Sequence, residues 1–191
     1  MKYNRLDKII QSRRTVYPKH YINKKISKKI INRIIENANY APTHKLTQPW
    51  FFKIFDEKSK MRLANEMTIM YKKYSGSKSF SDLKSKKILT KFEFSDFIIA
   101  ICMKRDKDES IPEWEEIAAT SMAVQNMWLT CVSYEIGCYW SSPKYASELS
   151  EFLNLDKNER CLGFFYLGKF NHKDQKSKKR NNIESKIEWF E

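Results

Sequence analysis

The chain is poor in glycine and proline, with four of one and five of the other in 191 residues. Sandwiches and barrels of short strands turn about every 8–12 residues and draw on both, so the scarcity argues against an all-β fold and excludes collagen-like or linker-rich chains. So few glycines also leave no GxGxxG turn, Walker sequence or GxSxG elbow. If a phosphate is bound, side chains must hold it. Histidine is scarcer still: His20, His44 and His172 stand outside any HxxxH, HExxH or Cys/His spacing, and no metal site is expected. Cys102, Cys131, Cys138 and Cys161 form no CxxC pair and lie far apart or on apolar runs, as buried, reduced thiols do. Long apolar runs are missing too. The longest, about Phe97 to Met103, falls far short of the ~20 residues that span a bilayer, and Met1 to Asp7 carries no apolar signal region. A soluble, cytoplasmic protein with no membrane partner is expected.

Acidic residues are outnumbered, 23 Asp and Glu against 36 Lys and Arg, for a net charge of +13. An acidic disordered chain is thereby ruled out, and 41% hydrophobic with 14% aromatic content is ample for a core. Basic residues interleaved with aromatic rings would also suit a nucleic-acid binder. The lysines, however, are scattered through every segment among many Asn and Ile, the pattern a codon bias toward A and T produces. Nucleic acid is therefore not the expected partner. With no internal repeat and no clean linker, residues 1–191 read as a single domain of the α+β class in which helices dominate.

Leu6, Ile9 and Ile10 set a short first helix that ends at Ser12-Arg13-Arg14-Thr15 before Tyr17-Pro18. Ser27 suits the N-cap of a second helix striped by Ile30, Ile31, Ile34, Ile35 and Ala38, ending near Tyr40-Ala41 because Pro42 follows. Trp50 to Phe55 reads as a buried strand, and Asp56 opens a third helix to about Tyr74. The polar stretch Ser75 to Lys91 reads as a mobile excursion. Phe97 to Met103 is a second strand, and Pro112, at a first-turn position, begins the longest helix, through about Tyr134. Cys138-Tyr139-Trp140 forms a short strand, Lys144 to Phe152 a small helix, and Cys161 to Gly168 the fourth strand. Ile187-Glu188-Trp189-Phe190 would be odd in a solvated tail and is expected to dock on a surface, a second subunit's being one choice.

Two segments concentrate chemistry. Arg13 and Arg14 end a helix with planar forks that suit a phosphate, although cations there also favour the helix dipole. The loop Ala41 to Trp50 is pinned by Pro42 and Pro49, and between them stand His44, Lys45, Thr47 and Gln48, donors that a planar heterocycle rich in nitrogen and carbonyl groups would need.

Ser12-Arg13-Arg14-Thr15 followed by Ala41-Pro42-Thr43-His44-Lys45-Leu46-Thr47-Gln48-Pro49-Trp50 closely resembles the FMN-dependent nitroreductase family, particularly its compact single-domain branch. Ile111-Pro112-Glu113-Trp114-Glu115, Gly137-Cys138-Tyr139-Trp140 and Leu162 to Gly168 continue the resemblance in the family's order over nearly the whole chain. It implies a three-layer sandwich, a mixed but mainly antiparallel sheet flanked by helices around a long central one. It further implies an intertwined homodimer with FMN at the subunit interface, reduced by NAD(P)H at flavin N5 and reoxidised in ping-pong fashion by a nitroaromatic, quinone or similar small-molecule acceptor.

By the same resemblance, Arg13, Arg14 and Thr15 contact the FMN phosphate, ribityl chain and ring edge. Tyr40, His44 and Gln48 belong to the segment that reaches the flavin, the loop coming from the partner chain, and Tyr139, Trp140 and Ser141 pack along the isoalloxazine. Ser141 stands where a member of the compact branch has arginine. Lys176, Lys178, Lys179 and Arg180 are alternative late phosphate ligands. The flavin itself carries the chemistry, so no side chain is expected as general acid or base. A flavoprotein of this fold with another redox task is the near alternative, and a basic nucleic-acid binder the distant one.

Overall fold

Every residue from Phe97 to Met103 is buried. Both faces of that strand must therefore be covered, which takes a helical layer on each side. The structure, a computed structural model, describes residues 4–171 and 180–190. In chain order its elements are α1 (Arg5–Ser12), β1 (Tyr21–Ile22), α2 (Lys28–Ala38), β2 (Trp50–Phe55), α3 (Lys60–Ser79), α4 (Asp82–Phe94), β3 (Phe97–Lys104), α5 (Glu113–Ser133), β4 (Ile136–Ser141) and β5 (Glu159–Phe170).

β2 pairs with β3 and β3 with β5. β4 pairs with residues 164–169 of β5, and β1 with its last two. Because residues 164–167 have partners in both β3 and β4, β4 must lie on the far side of β5, at the rim of the sheet. All these pairings are antiparallel; the parallel pairing that would make the sheet mixed does not occur among the described residues.

Strand alternation then divides the core in two. Phe97, Ile99, Ile101, Phe165 and Leu167 meet Ile31, Ile34 and Ala38 of α2 and Ala123, Val124 and Met127 of α5. Ile98, Ala100, Cys102, Phe164 and Tyr166 meet Leu63, Ala64 and Met67 of α3 and Ile88 and Phe92 of α4. The result is the expected three-layer α+β sandwich, and the four cysteines are free and buried within it. Among the described residues, no helix is long and apolar enough to cross a membrane.

Residues 75–91 are a correction. They do not form an excursion: α3 continues to Ser79 across a break at Gly76, whose φ is +61°, and α4 follows at once. The Ser81 side chain caps α4 by accepting from Lys84 N–H, and Ile88 and Phe92, one turn apart, seat it on the core. Between Lys144 and Phe152 there is only one 3₁₀ turn, Ala146–Leu149. Pro112 is the N-cap of α5 instead of its first turn. Trp189 and Phe190 are 86% and 89% exposed, so no described residue covers the end of the terminal apolar cluster.

Candidate functional site

α1 starts with a capping box between Asn4 and Asp7 and ends when Arg13 leaves helical geometry, its N–H still bonded to Ile9 O. From there the chain runs beside β4, where Val16 N–H donates to Cys138 O at 3.1 Å. Trp128 of α5 fixes the same segment, its Nε1 donating to Arg14 O at 3.2 Å. The two arginines then part company. Arg14 turns back and donates to the carbonyls of Gln11 and Arg13, closing the C-terminal end of α1. Arg13 lies with its guanidinium 4.8 Å from the Trp128 ring centroid. Burial pulls the Arg13 guanidinium below its ordinary pKa, Arg180 pulls it further, Cys138 opposes, and Arg14 adds a smaller pull. It stays charged. Of the late basic alternatives Arg180 alone is described, and its charge acts on Arg13; Lys176, Lys178 and Lys179 lie outside the described residues. Thr15, next in line, is exposed.

β4 presents Tyr139 and Trp140 to opposite faces of the sheet. Tyr139 sits between Tyr17, at 4.9 Å between ring centroids, and Tyr166, at 5.9 Å, with Lys91 Nζ 5.4 Å from its ring. Trp140 packs against the α2/α5 core, yet its Nε1 is buried with no hydrogen-bond partner among the described residues. Space for that indole depends on Gly163, which has φ +135° and where a Cβ would come within 2.7 Å of Trp140 Nε1. Gly163 borders the bulge in β5 that shifts its register against β3. Ser141 ends β4, half-buried, beside this gap.

The other expected cluster lies elsewhere. Lys45, Leu46 and Gln48, confined between Pro42 and Pro49, all have positive φ, at 49°, 54° and 42°. Left-handed backbone costs a non-glycine residue roughly 1–2 kcal/mol, so the shape must be enforced. Thr43 Oγ1 accepts from Gln48 N–H at 3.1 Å and lies 3.0 Å from Thr47 Oγ1. Lys45 Nζ donates to Ser110 O at 3.1 Å, and His44 Nδ1 lies 2.6 Å from Glu115 Oε2. His44 and Gln48 remain exposed, as does Tyr40, at 83%, just past α2.

Glu115 and Trp128 are thirteen positions apart on α5, about 20 Å along the axis at 1.5 Å per residue. One chain therefore ties the segment from Arg13 to Tyr17 to Trp128, Cys138 and Tyr139, with Trp140 and Ser141 following on the same strand, but holds His44 and Gln48 toward the other end of its longest helix. Sequence reading missed Tyr17, which directly follows the arginine motif at one residue's remove, and Lys91, hidden in a lysine-rich stretch whose helical spacing rests on few apolar residues. It also missed what Glu115 does. Among the described residues, no three His, Cys, Asp or Glu side chains are grouped to hold a metal.

Comparison with known proteins bears on the family and the fold. Residues 10–169 match the sequence profile described as the Nitroreductase family. The chain is 29% identical over 163 residues to a Bacillus subtilis (strain 168) protein named "Putative NAD(P)H nitroreductase YfhC", covering 84% of this chain and 81% of that protein. The fold is similar to that of a nitroreductase-like family protein from Bacillus cereus, with a TM-score of 0.82, 24% identity and 100% and 98% of the two chains covered. It is also similar to a mutant of the FMN and NADPH-dependent nitroreductase NfnB from sphigopyxis sp. strain HMH, with a TM-score of 0.78, 12% identity and 97% and 99% covered. With arginine motif, sheet rim and proline-bounded loop all inside the matched stretch, the chain belongs to the nitroreductase family.

Proposed function

We propose that this protein is an FMN-dependent oxidoreductase that works as a homodimer, taking reducing equivalents from NAD(P)H and passing them to a nitroaromatic, a quinone or a similar small acceptor. The reading draws on the family membership and on one observation: Arg13, in the segment that runs beside β4, stands half-buried over Trp128 with no described carboxylate paired to it. A partly desolvated guanidinium fork at Arg13, with the exposed Arg180 adding positive charge, suits a phosphate dianion. The Tyr17–Tyr139 ring pair on one face of β4 suits a flat heterocycle, and the unpartnered Trp140 Nε1–H stands on the other face of the same strand. The residues present therefore fit FMN.

The flavin supplies two-electron chemistry at N5 when bound; what the chain supplies is placement and charge. Arg13 and Arg180 hold the phosphate end, and the backbone from Arg13 to Val16, tied to Cys138 and Trp128, fixes where that end lies relative to β4. Tyr139 and Ser141 on one face of β4 and Trp140 on the other are the residues that would pack along the ring, and Lys91, with Nζ 5.4 Å from the Tyr139 ring, would bring a positive charge to that side. His44 and Gln48 complete the site from the partner subunit, since their own chain keeps them a helix length away. Exposed Leu46 and Trp114, near the same end of α5, and the bare Trp189 and Phe190 offer apolar surface for that partner.

The absorbance spectrum of the purified protein tests this. Yellow protein, or protein that takes up added FMN, whose flavin band bleaches anaerobically with NAD(P)H, is the expected outcome. Colourless protein that refuses FMN would sink it.

A further inference from the structure

His44 is more than half exposed, yet one of its ring nitrogens is committed, with Nδ1 2.6 Å from Glu115 Oε2. An ionised carboxylate only accepts, so Nδ1 carries a proton and donates. Nε2 is then the nitrogen left for a ligand, and no described residue bonds it. Glu115 is well placed for this task. It stands in the first turn of α5, where the helix dipole favours an anion, and its side chain is 24% exposed. The neighbouring acids are otherwise engaged: Glu113 pairs with Arg160, and Glu116 with Arg105. Of the three carboxylates heading the helix, one alone is given to the loop.

The loop backbone does not need that bond to hold its shape. Lys45 is anchored separately on Ser110, and Thr43 ties Thr47 and Gln48 internally. What the Glu115 contact adds is control of the imidazole. We propose that Glu115 is a positioning residue for His44: it fixes the ring's orientation and keeps a proton on Nδ1, so that Nε2 is the nitrogen presented to the flavin of the partner subunit. This role rests on the functional reading above. The logic is that of a ligand histidine whose second nitrogen is held by a carboxylate.

The test combines ring-nitrogen NMR with FMN titration on the full-length protein. With three histidines in the chain, the His44 ring is readily assigned. Wild type should show a protonated Nδ1, a signature that Glu115→Gln weakens and Glu115→Asp, which keeps the charge but withdraws it by one methylene, weakens less. Glu115→Gln should raise the Kd for FMN about tenfold. His44→Ala should do the same, and the double variant no more than either single one, because the two residues act as one unit. Additive losses, or Glu115→Gln binding FMN like wild type, would overturn the role while leaving the functional reading in place. An unprotonated Nδ1 in wild type overturns it whether or not flavin is present. Wild type that binds no FMN removes the functional reading and this role with it.

Discussion

Arg13 and Arg14 are adjacent, identical in chemistry, and put to different uses. Arg14 donates to the carbonyls of Gln11 and Arg13, whereas Arg13 stands over Trp128 with Arg180 nearby. The motif was legible in the sequence, and so were both readings of it, phosphate ligand and helix-end cation. Which arginine takes which part depends on how each side chain turns after α1 ends, and spacing does not specify that. Arg13→Ala should weaken FMN binding by about 10–100-fold, the range of one charge-assisted bond of ~1.5–3 kcal/mol. Arg14→Ala should cost α1 stability with little loss of FMN. Lys87→Ala, on the exposed side of α4, is the control in the same fluorescence titration; if it weakens FMN as much as Arg13→Ala does, the phosphate assignment fails. Gly163 is a second residue-scale case. Alanine there would strain a backbone at φ +135° and press on Trp140 and the backbone of Ser142. Gly163→Ala should therefore destabilise by about 1–3 kcal/mol in urea unfolding, and unchanged stability would mean the bulge readily rearranges.

Among the elements, β3 and β5 were legible because buried strands are continuous apolar runs, and α2 and α5 because their apolar stripes are long. β2 was found by its aromatic and β-branched run, but it is not the buried strand expected, since it ends the strand order with only Trp50 buried and Ile54 44% exposed. α4 was not, because lysine and serine fill its outer face and only Ile88 and Phe92 mark the buried one. The left-handed turns at Lys45, Leu46 and Gln48 were equally hidden, since none is a residue that favours positive φ; side-chain anchors enforce them. β1 is two residues long and exists by pairing with the end of β5. Element pairing also sets a pH dependence. At the end of the β3–β5 ladder, Lys104 faces Glu159 at 2.9 Å. The bond from Lys104 holds the Glu159 carboxyl below its usual pKa and raises the Lys104 ammonium above its own. A carboxylate with a depressed folded pKa stabilises above its unfolded value, about 4.3, and the gain is lost as pH falls through the folded value. An ammonium with a raised pKa stabilises below its unfolded value, about 10.4, and the gain is lost as pH rises through the folded one. Lys104→Met should therefore lower the Tm modestly and evenly between about pH 5 and 10, and the gap to wild type should close in acid. A gap that persists undiminished at pH 2 would assign the loss to packing instead.

For the whole molecule, the separation along α5 makes a stronger demand than any pair of contacts. If Arg13 and His44 serve the same flavin, about 20 Å of helix between the positions that anchor them favours our proposal that two copies related by symmetry supply the site. Such a division is implied by the resemblance alone, because no spacing in the sequence shows how far apart its two motifs end up. It has a consequence that single variants cannot imitate. An Arg13→Ala protein and a His44→Ala protein each spoil both sites of their own dimers. Mixed one to one, unfolded and refolded together, they should form about half heterodimers, in each of which one site receives both defects and the other receives none. About a quarter of all sites should then bind FMN with wild-type affinity, read as a tight phase in a fluorescence titration. If both residues instead served a flavin within one chain, no site in the mixture would be intact and the tight phase would be absent.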